Sequence, residues 1–280
     1  MNRLKLVAAF ILVTGLYSQE VLAASTSDTL DLLRGKLSDA LPKDIGTALL
    51  PNEAEEIAEG REVAASLLAL AAPVNNPELQ AYVNATGRWI ASHSERPDLP
   101  WHFVVIDTPD LNAFAVPGGY ILLTAGLYQS LADPAELAGV LAHEIAHVVA
   151  RHHLKATLSN RLVTEGSRQL GKQLKQGDNA LTRNLLGAGA SLLSSKLDQS
   201  SEFEADRMAV VLASRAGFDP YGLPSVLHHF EEFASSDNRV SMLFSTHPQP
   251  QVRLRQLDAA MADRFADITI GNLTGQLPPL

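Results

Sequence analysis

Asp133-Pro134-Ala135-Glu136-Leu137-Ala138-Gly139-Val140-Leu141-Ala142-His143-Glu144-Ile145-Ala146-His147 is the stretch that decides how this chain folds. Asp133 is a helix-capping residue, Pro134 suits the first helical position, and Glu136 stands three residues after the cap, which predicts a helix opened by a capping box. Leu137, Val140, Leu141 and Val148 supply its apolar face. His143 and His147 are four residues apart and so share one side of the helix, where two imidazoles reach one metal ion, with the Glu144 carboxylate beside them. H-E-x-x-H of this kind is the core of a zinc hydrolase. Two histidines are still one protein ligand short, because catalytic zinc takes three and a water.

Two places in the chain offer the third ligand. His152 and His153 are local, and His153 stands ten residues after His143, where H-E-x-x-H-x-x-G-x-x-H puts its last histidine; Ala150 occupies the glycine position. A helix continuing through Ala150 would carry His153 about 15 Å along the axis and about 80° round it, too far to share the metal. The remote candidate is Glu202-Phe203-Glu204-Ala205-Asp206. Glu202 and Asp206 share a helix face and Glu204 points elsewhere, so Glu202 can bind the metal while Asp206 orients a histidine through its free ring nitrogen. Spacing alone equally describes a solvated acidic helix start.

The chain around these residues has 280 residues, 46% hydrophobic and 19% charged, enough for one well-formed core. Its net charge of −9 and the lack of any basic run disfavour a nucleic-acid partner. Arg3 and Lys5, an apolar run over 6–16 and small residues around Ala23 read as a signal peptide, 1–23, cleaved after Ala23. That run is shorter than the roughly 20 residues of a membrane span, and no later stretch is long and apolar enough, so no span is expected in the mature chain. Cysteine is absent, so neither disulfides nor a lipid-modified cysteine hold the protein. Export to the periplasm is the expected location.

Residues 24–51, broken by Pro42, Gly46 and Pro51, read as an N-terminal arm on a domain at 52–266, followed by a loosely held tail at 267–280. Helices are expected at 53–71 and 77–91. The β signal is confined to 101–107, 112–116 and 120–124, with Pro117-Gly118-Gly119 as a turn. Asn112, Ala113, Phe114, Ala115 and Val116 would form a strand beside the metal helix that can pair with an extended peptide. Residues 160–184 read as a polar, glycine-bearing connection, and further helices are expected at 185–197, 201–216, 224–234 and 251–266.

NAFAVPGGYILLTAGLY at 112–128, HEIAHVVARHH at 143–153, EFEAD at 202–206 and THP at 246–248 together resemble the HtpX and CAAX-prenyl-protease type of zinc metallopeptidase, family forty-eight of the metallo class, especially its soluble periplasmic members. The likeness runs over about 52–257. It implies an α+β, mostly helical, zincin-like (gluzincin) domain with a small β-sheet beside the HExxH helix. It also implies one Zn2+ per chain held by His143, His147 and Glu202, with Asp206 behind a ligand. The family often has S-R-x-x-E before the ligand glutamate, whereas this chain has Asp198-Gln199-Ser200-Ser201-Glu202, so any ion pair of that arginine is missing. His247, followed at family-like spacing by Arg253, would be a fourth zinc ligand in a latent state or a partner for the oxyanion. Glu144 would be the general base of peptide-bond hydrolysis. The substrates expected are unfolded or misassembled exported proteins; the other reading is a holdase or outer-membrane assembly factor binding exposed strands.

Overall fold

The computed structural model describes residues 50–158, 197, 199–233, 247 and 250–262. The expected signal peptide, most of the expected arm, the stretch 160–184, nearly all of the helix expected at 185–197 and the expected tail fall outside these residues. The chain divides into two compact units, Asn52–His153 with Lys196–Leu280, and Met1–Pro51 with Leu154–Ser195. All the elements below belong to the first.

Helix α1, Glu53–Leu70, is opened by a true capping box: Asn52 Oδ1 accepts from Glu55 N–H and Glu55 Oε2 accepts from Asn52 N–H, each at 3.0 Å. Helix α2, Pro77–Ala91, starts at Asn76 with Pro77 in its first turn. It lies on strand β1, His102–Ile106, and Gly87 makes the approach possible, since a Cβ there would sit 2.4 Å from the Phe103 ring. Strands β2, Ala113–Val116, and β3, Tyr120–Thr124, complete a sheet of order β1-β3-β2, parallel between β1 and β3 and antiparallel between β3 and β2. Gly118 and Gly119, with φ of 78° and 96°, close the three-residue loop 117–119 between the paired Val116 and Tyr120, in a backbone region that glycine adopts without strain.

A short helix that the sequence reading did not anticipate, α3, Ala125–Ser130, follows β3 directly, with Thr124 capping Leu127 N–H. Helix α4, Pro134–Val149, carries the HEIAH residues. Asp133 Oδ1 accepts from Ala135 and Glu136 N–H, as an N-cap should. The expected capping box is not reciprocal, however: Glu136 reaches Ala132 N–H at 2.7 Å and also meets Ser225 and His229. Nor is α4 apolar on one face only. It is buried almost all round, because Ala138, Gly139, Ala142 and Ala146 let neighbours close in on the sides that Leu137 and Leu141 do not fill.

Those neighbours are α5, Gln199–Arg215, α6, Gly222–Phe233, α2 and β2. Helix α5 buries Glu202, Ala205, Asp206, Ala209, Leu212 and Ala213 along one stripe, so two carboxylates are drawn into the core by the alanines and leucine around them. It ends at Gly217, φ 86°, where Gly217 N–H donates to Ser214 O and Phe218 N–H to Ala213 O, a Schellman close. Helix α6 begins two residues before the expected start, with Gly222 pressed on Ala135 O. Helix α7, Pro250–Met261, brings Arg253 inward.

One buried carboxylate ties the sheet end to the metal helix. Glu56 accepts from Arg96 Nη1 at 2.8 Å, Arg151 Nη2 at 2.9 Å and Gly118 N–H at 3.2 Å, linking α1, the hairpin turn and the turn after α4.

Candidate metal centre

Helix α4 places His143 and His147 one turn apart, both buried, with their Nε2 atoms 3.0 Å from one another. Helix α5 brings Glu202 to the same point from a remote stretch of chain. Its Oε2 lies 3.6 Å from His143 Nε2 and its Oε1 3.6 Å from His147 Nε2. A tetrahedral zinc with bonds of about 2.0–2.1 Å separates its donors by roughly 3.3–3.4 Å, and each imidazole nitrogen stands close to that distance from the other and from one oxygen of the Glu202 carboxylate. Glu202 Oε1 is buried without a hydrogen-bond partner, and a fully buried carboxylate oxygen left bare calls for a cation. His247 is the fourth member: its Nδ1 lies 2.8 Å from Glu202 Oε2, and donor atoms of all four residues fall within 4.8 Å of one another.

The outer ring nitrogens are held as well. Asp206 Oδ1 lies 3.0 Å from His143 Nδ1, and Arg253 donates to the same carboxylate through Nη2 at 2.6 Å and Nε at 2.9 Å. His147 Nδ1 lies 2.9 Å from His152 Nδ1. Both metal-facing histidines thus turn Nε2 inward while a neighbour holds Nδ1.

Charge is distributed accordingly. Burial opposes the ionised form of Glu202, yet the hydrogen-bonded His247, with His143 and Arg253, brings its carboxyl down to about 2. Burial likewise opposes Asp206, and the Arg253 guanidinium and His143 hold it well below the usual carboxylate range. Glu144 is pushed up, by burial first, against the pull of His143 and His247. Burial and the neighbouring imidazoles keep His147 neutral. His143, Glu144, His247 and Arg253 line one cleft whose other walls are apolar, among them Val140, Val226, Leu227 and Phe230. Ala113 of β2 also lines it.

Helix α4 stops at Val149, Arg151 takes φ 57°, and helical backbone resumes at His152, so the chain doubles back instead of running on. His153 therefore lies with its ring 5.9 Å from that of His147 yet outside the donor set, and His152 makes the contact. Glu204, read as pointing elsewhere, reaches His152 Nε2 at 3.4 Å. Arg253 was visible only as a spacing after His247; its partner Asp206 lies on another helix. Asn112 is buried and accepts Thr124 N–H through its carbonyl, while Ala113, Phe114, Ala115 and Val116 form β2.

Two imidazoles from one helix turn and a carboxylate from a second helix, with a small sheet packed on the first, define a zincin-like architecture in which these groups could hold one metal ion. The chain belongs to peptidase family M48, whose model matches residues 77–261, and zinc is the metal of that family. It is 32% identical over 233 residues to the beta-barrel assembly-enhancing protease of Escherichia coli (strain K12), covering 78% of this chain and 46% of that one. Over 183 residues it is 31% identical to the mitochondrial metalloendopeptidase OMA1 of Schizosaccharomyces pombe, covering 63% of this chain and 51% of that one. The chain thus spans about half the length of these curated relatives.

Proposed function

We propose that this chain is a zinc-dependent endopeptidase of envelope protein quality control, acting on extended or misfolded exported proteins. The observation that carries this reading is the buried convergence of His143, His147 and Glu202 with Glu144 on the same cleft. His143, His147 and Glu202 would hold one zinc ion, which when bound supplies Lewis acidity, acidifying water and polarising the peptide carbonyl. Glu144 takes the proton of the attacking water and passes it to the leaving amine. Asp206, itself clamped by Arg253, keeps His143 in the required orientation.

Strand β2 is the substrate's main-chain partner in this reading. It forms one edge of the sheet. Since Asn112 O is used by Thr124 N–H, the antiparallel alternation turns the main-chain groups of Ala113 and Ala115 away from β3. Asn112 Oδ1 accepts from Ala113 N–H, so the pairing position assigned to the substrate is Ala115, whose N–H Asn112 does not take up. Main-chain pairing reads no side chains, which suits a broad range of substrates, and the apolar cleft walls favour an aliphatic or aromatic residue beside the scissile bond.

His247 is read as a fourth donor in a latent form, on the strength of its 2.8 Å contact with Glu202. That contact also favours a second reading, an assembly factor whose protease is normally shut, in keeping with the assembly-enhancing name of the bacterial relatives. Among the described residues no helix is long and apolar enough to cross a membrane. Casein cleavage by the purified chain tests these readings. Glu144→Gln should retain zinc and lose cleavage, and retained proteolysis would sink the assignment. Cleavage by His247→Ala alone indicates latency, and none by any form favours the assembly role.

A further inference from the structure

We propose that His152 is a positioning residue of the metal centre: through its Nδ1 it fixes His147 in the tautomer that offers Nε2 to the metal, with Glu204 as the outermost acceptor. This rests on the metallopeptidase reading above. The two metal-facing histidines are held in different ways. His143 Nδ1 meets a carboxylate, which only accepts. His147 Nδ1 meets another ring nitrogen, His152 Nδ1, at 2.9 Å, and two ring nitrogens at that distance share one proton between a donor and an acceptor.

The direction of that bond follows from the site. A histidine that offers Nε2 to a metal carries its proton on Nδ1, so His147 is the donor and His152 Nδ1 supplies the lone pair. His152 then carries its own proton on Nε2, which faces Glu204 Oε2 at 3.4 Å. The chain therefore runs one way, from His147 through His152 to a carboxylate. Reversing it would put a proton on His147 Nε2, in the middle of the donor cluster. His152 is 2% exposed, and the left-handed turn at Arg151 is what swings it back onto His147. Helix α5 thereby supplies both the donor Glu202 and the outer acceptor Glu204.

Zinc affinity of the full chain, measured at neutral pH by competition with a chelator, tests the proposal without recourse to activity. His152→Leu fills the space but offers no acceptor and should weaken zinc binding by about 10–100-fold, the usual effect of losing such a partner. His152→Asn, whose amide oxygen falls near the position of Nδ1, should recover most of that loss. His152→Gln, with its amide near Nε2, should recover less. Thermal melting of the metal-free forms identifies variants that do not fold; if Leu is one, the Asn and Gln pair decides. Wild-type affinity in His152→Leu, or equal affinities for Asn and Gln, overturns the relay. A wild-type protein that takes up no zinc overturns the metallopeptidase reading and the relay with it.

Discussion

Arg253→Met tests whether the charge behind His143 is neutralised as the structure indicates. Arg253 is buried and grips Asp206 with two bonds, at 2.6 and 2.9 Å, while Asp206 in turn faces His143 Nδ1. Methionine is unbranched and adaptable enough to occupy the guanidinium's channel, so the change removes charge more than volume. It leaves the Asp206 carboxylate buried with a single imidazole for company. Breaking one side of a buried pair costs about 3–5 kcal/mol because the remaining charge is uncompensated. For a chain of this size each kcal/mol shifts Tm by roughly 2–4 °C, so the metal-free protein should melt roughly 6–20 °C lower. Asp206→Asn placed on top of Arg253→Met removes the stranded charge and keeps an acceptor for His143, and should restore much of the loss. Melting of chelator-treated single and double variants reads this out. If Arg253→Met melts within about 2 °C of wild type, or if the two changes simply add, the clamp does not carry the charge balance assigned to it.

Three further outcomes are expected. Glu202→Ala should sharply lower zinc content measured by elemental analysis while His153→Ala leaves it unchanged, and the opposite pattern would return the third donor to His153. Gly139→Ala puts a Cβ 2.4 Å from Leu223 N, so α4 and α6 must separate; overpacking of this kind costs about 1–3 kcal/mol or more, and an unchanged urea midpoint would contradict the close approach. Arg96→Met leaves Glu56 with Arg151 and Gly118 N–H but strips two guanidinium contacts from a fully buried carboxylate, a loss of about 1.5–3 kcal/mol in urea unfolding, which a surface pair would not show.

The helix carrying HEIAH was legible because everything that forms it is local: Asp133 caps it, Pro134 opens it, and the two histidines are one turn apart. The hairpin was legible for the same reason, from Pro117-Gly118-Gly119. Glu202 was not legible from spacing, since an acidic pair at i and i+4 reads alike in solvent and in a core. The family resemblance pointed to it, and its burial comes from the alanines, Val210 and Leu212 of α5, the helix that packs on α4. Helix α3 was hidden because Thr124 belongs equally to a strand and to a cap. Glu136 satisfied the letter of a capping box but found Ala132, Ser225 and His229 instead, partners that only the arrival of α6 provides.

The outer contacts of the metal centre were hidden for a deeper reason, which the two ends of the site share. Helical periodicity rightly separated Glu204 from the face of Glu202 and Asp206. Glu204 nonetheless enters the site because a single residue, Arg151, takes a left-handed conformation and sends His152 back to meet it. A non-glycine residue in that region carries a conformational cost, and here Arg151 is also tied to the buried Glu56 that holds the hairpin turn. The turn that delivers His152 to His147 is thus anchored by the same carboxylate that anchors the end of β2. Metal-facing helix and edge strand are held in register by one buried charge that lies outside the donor set.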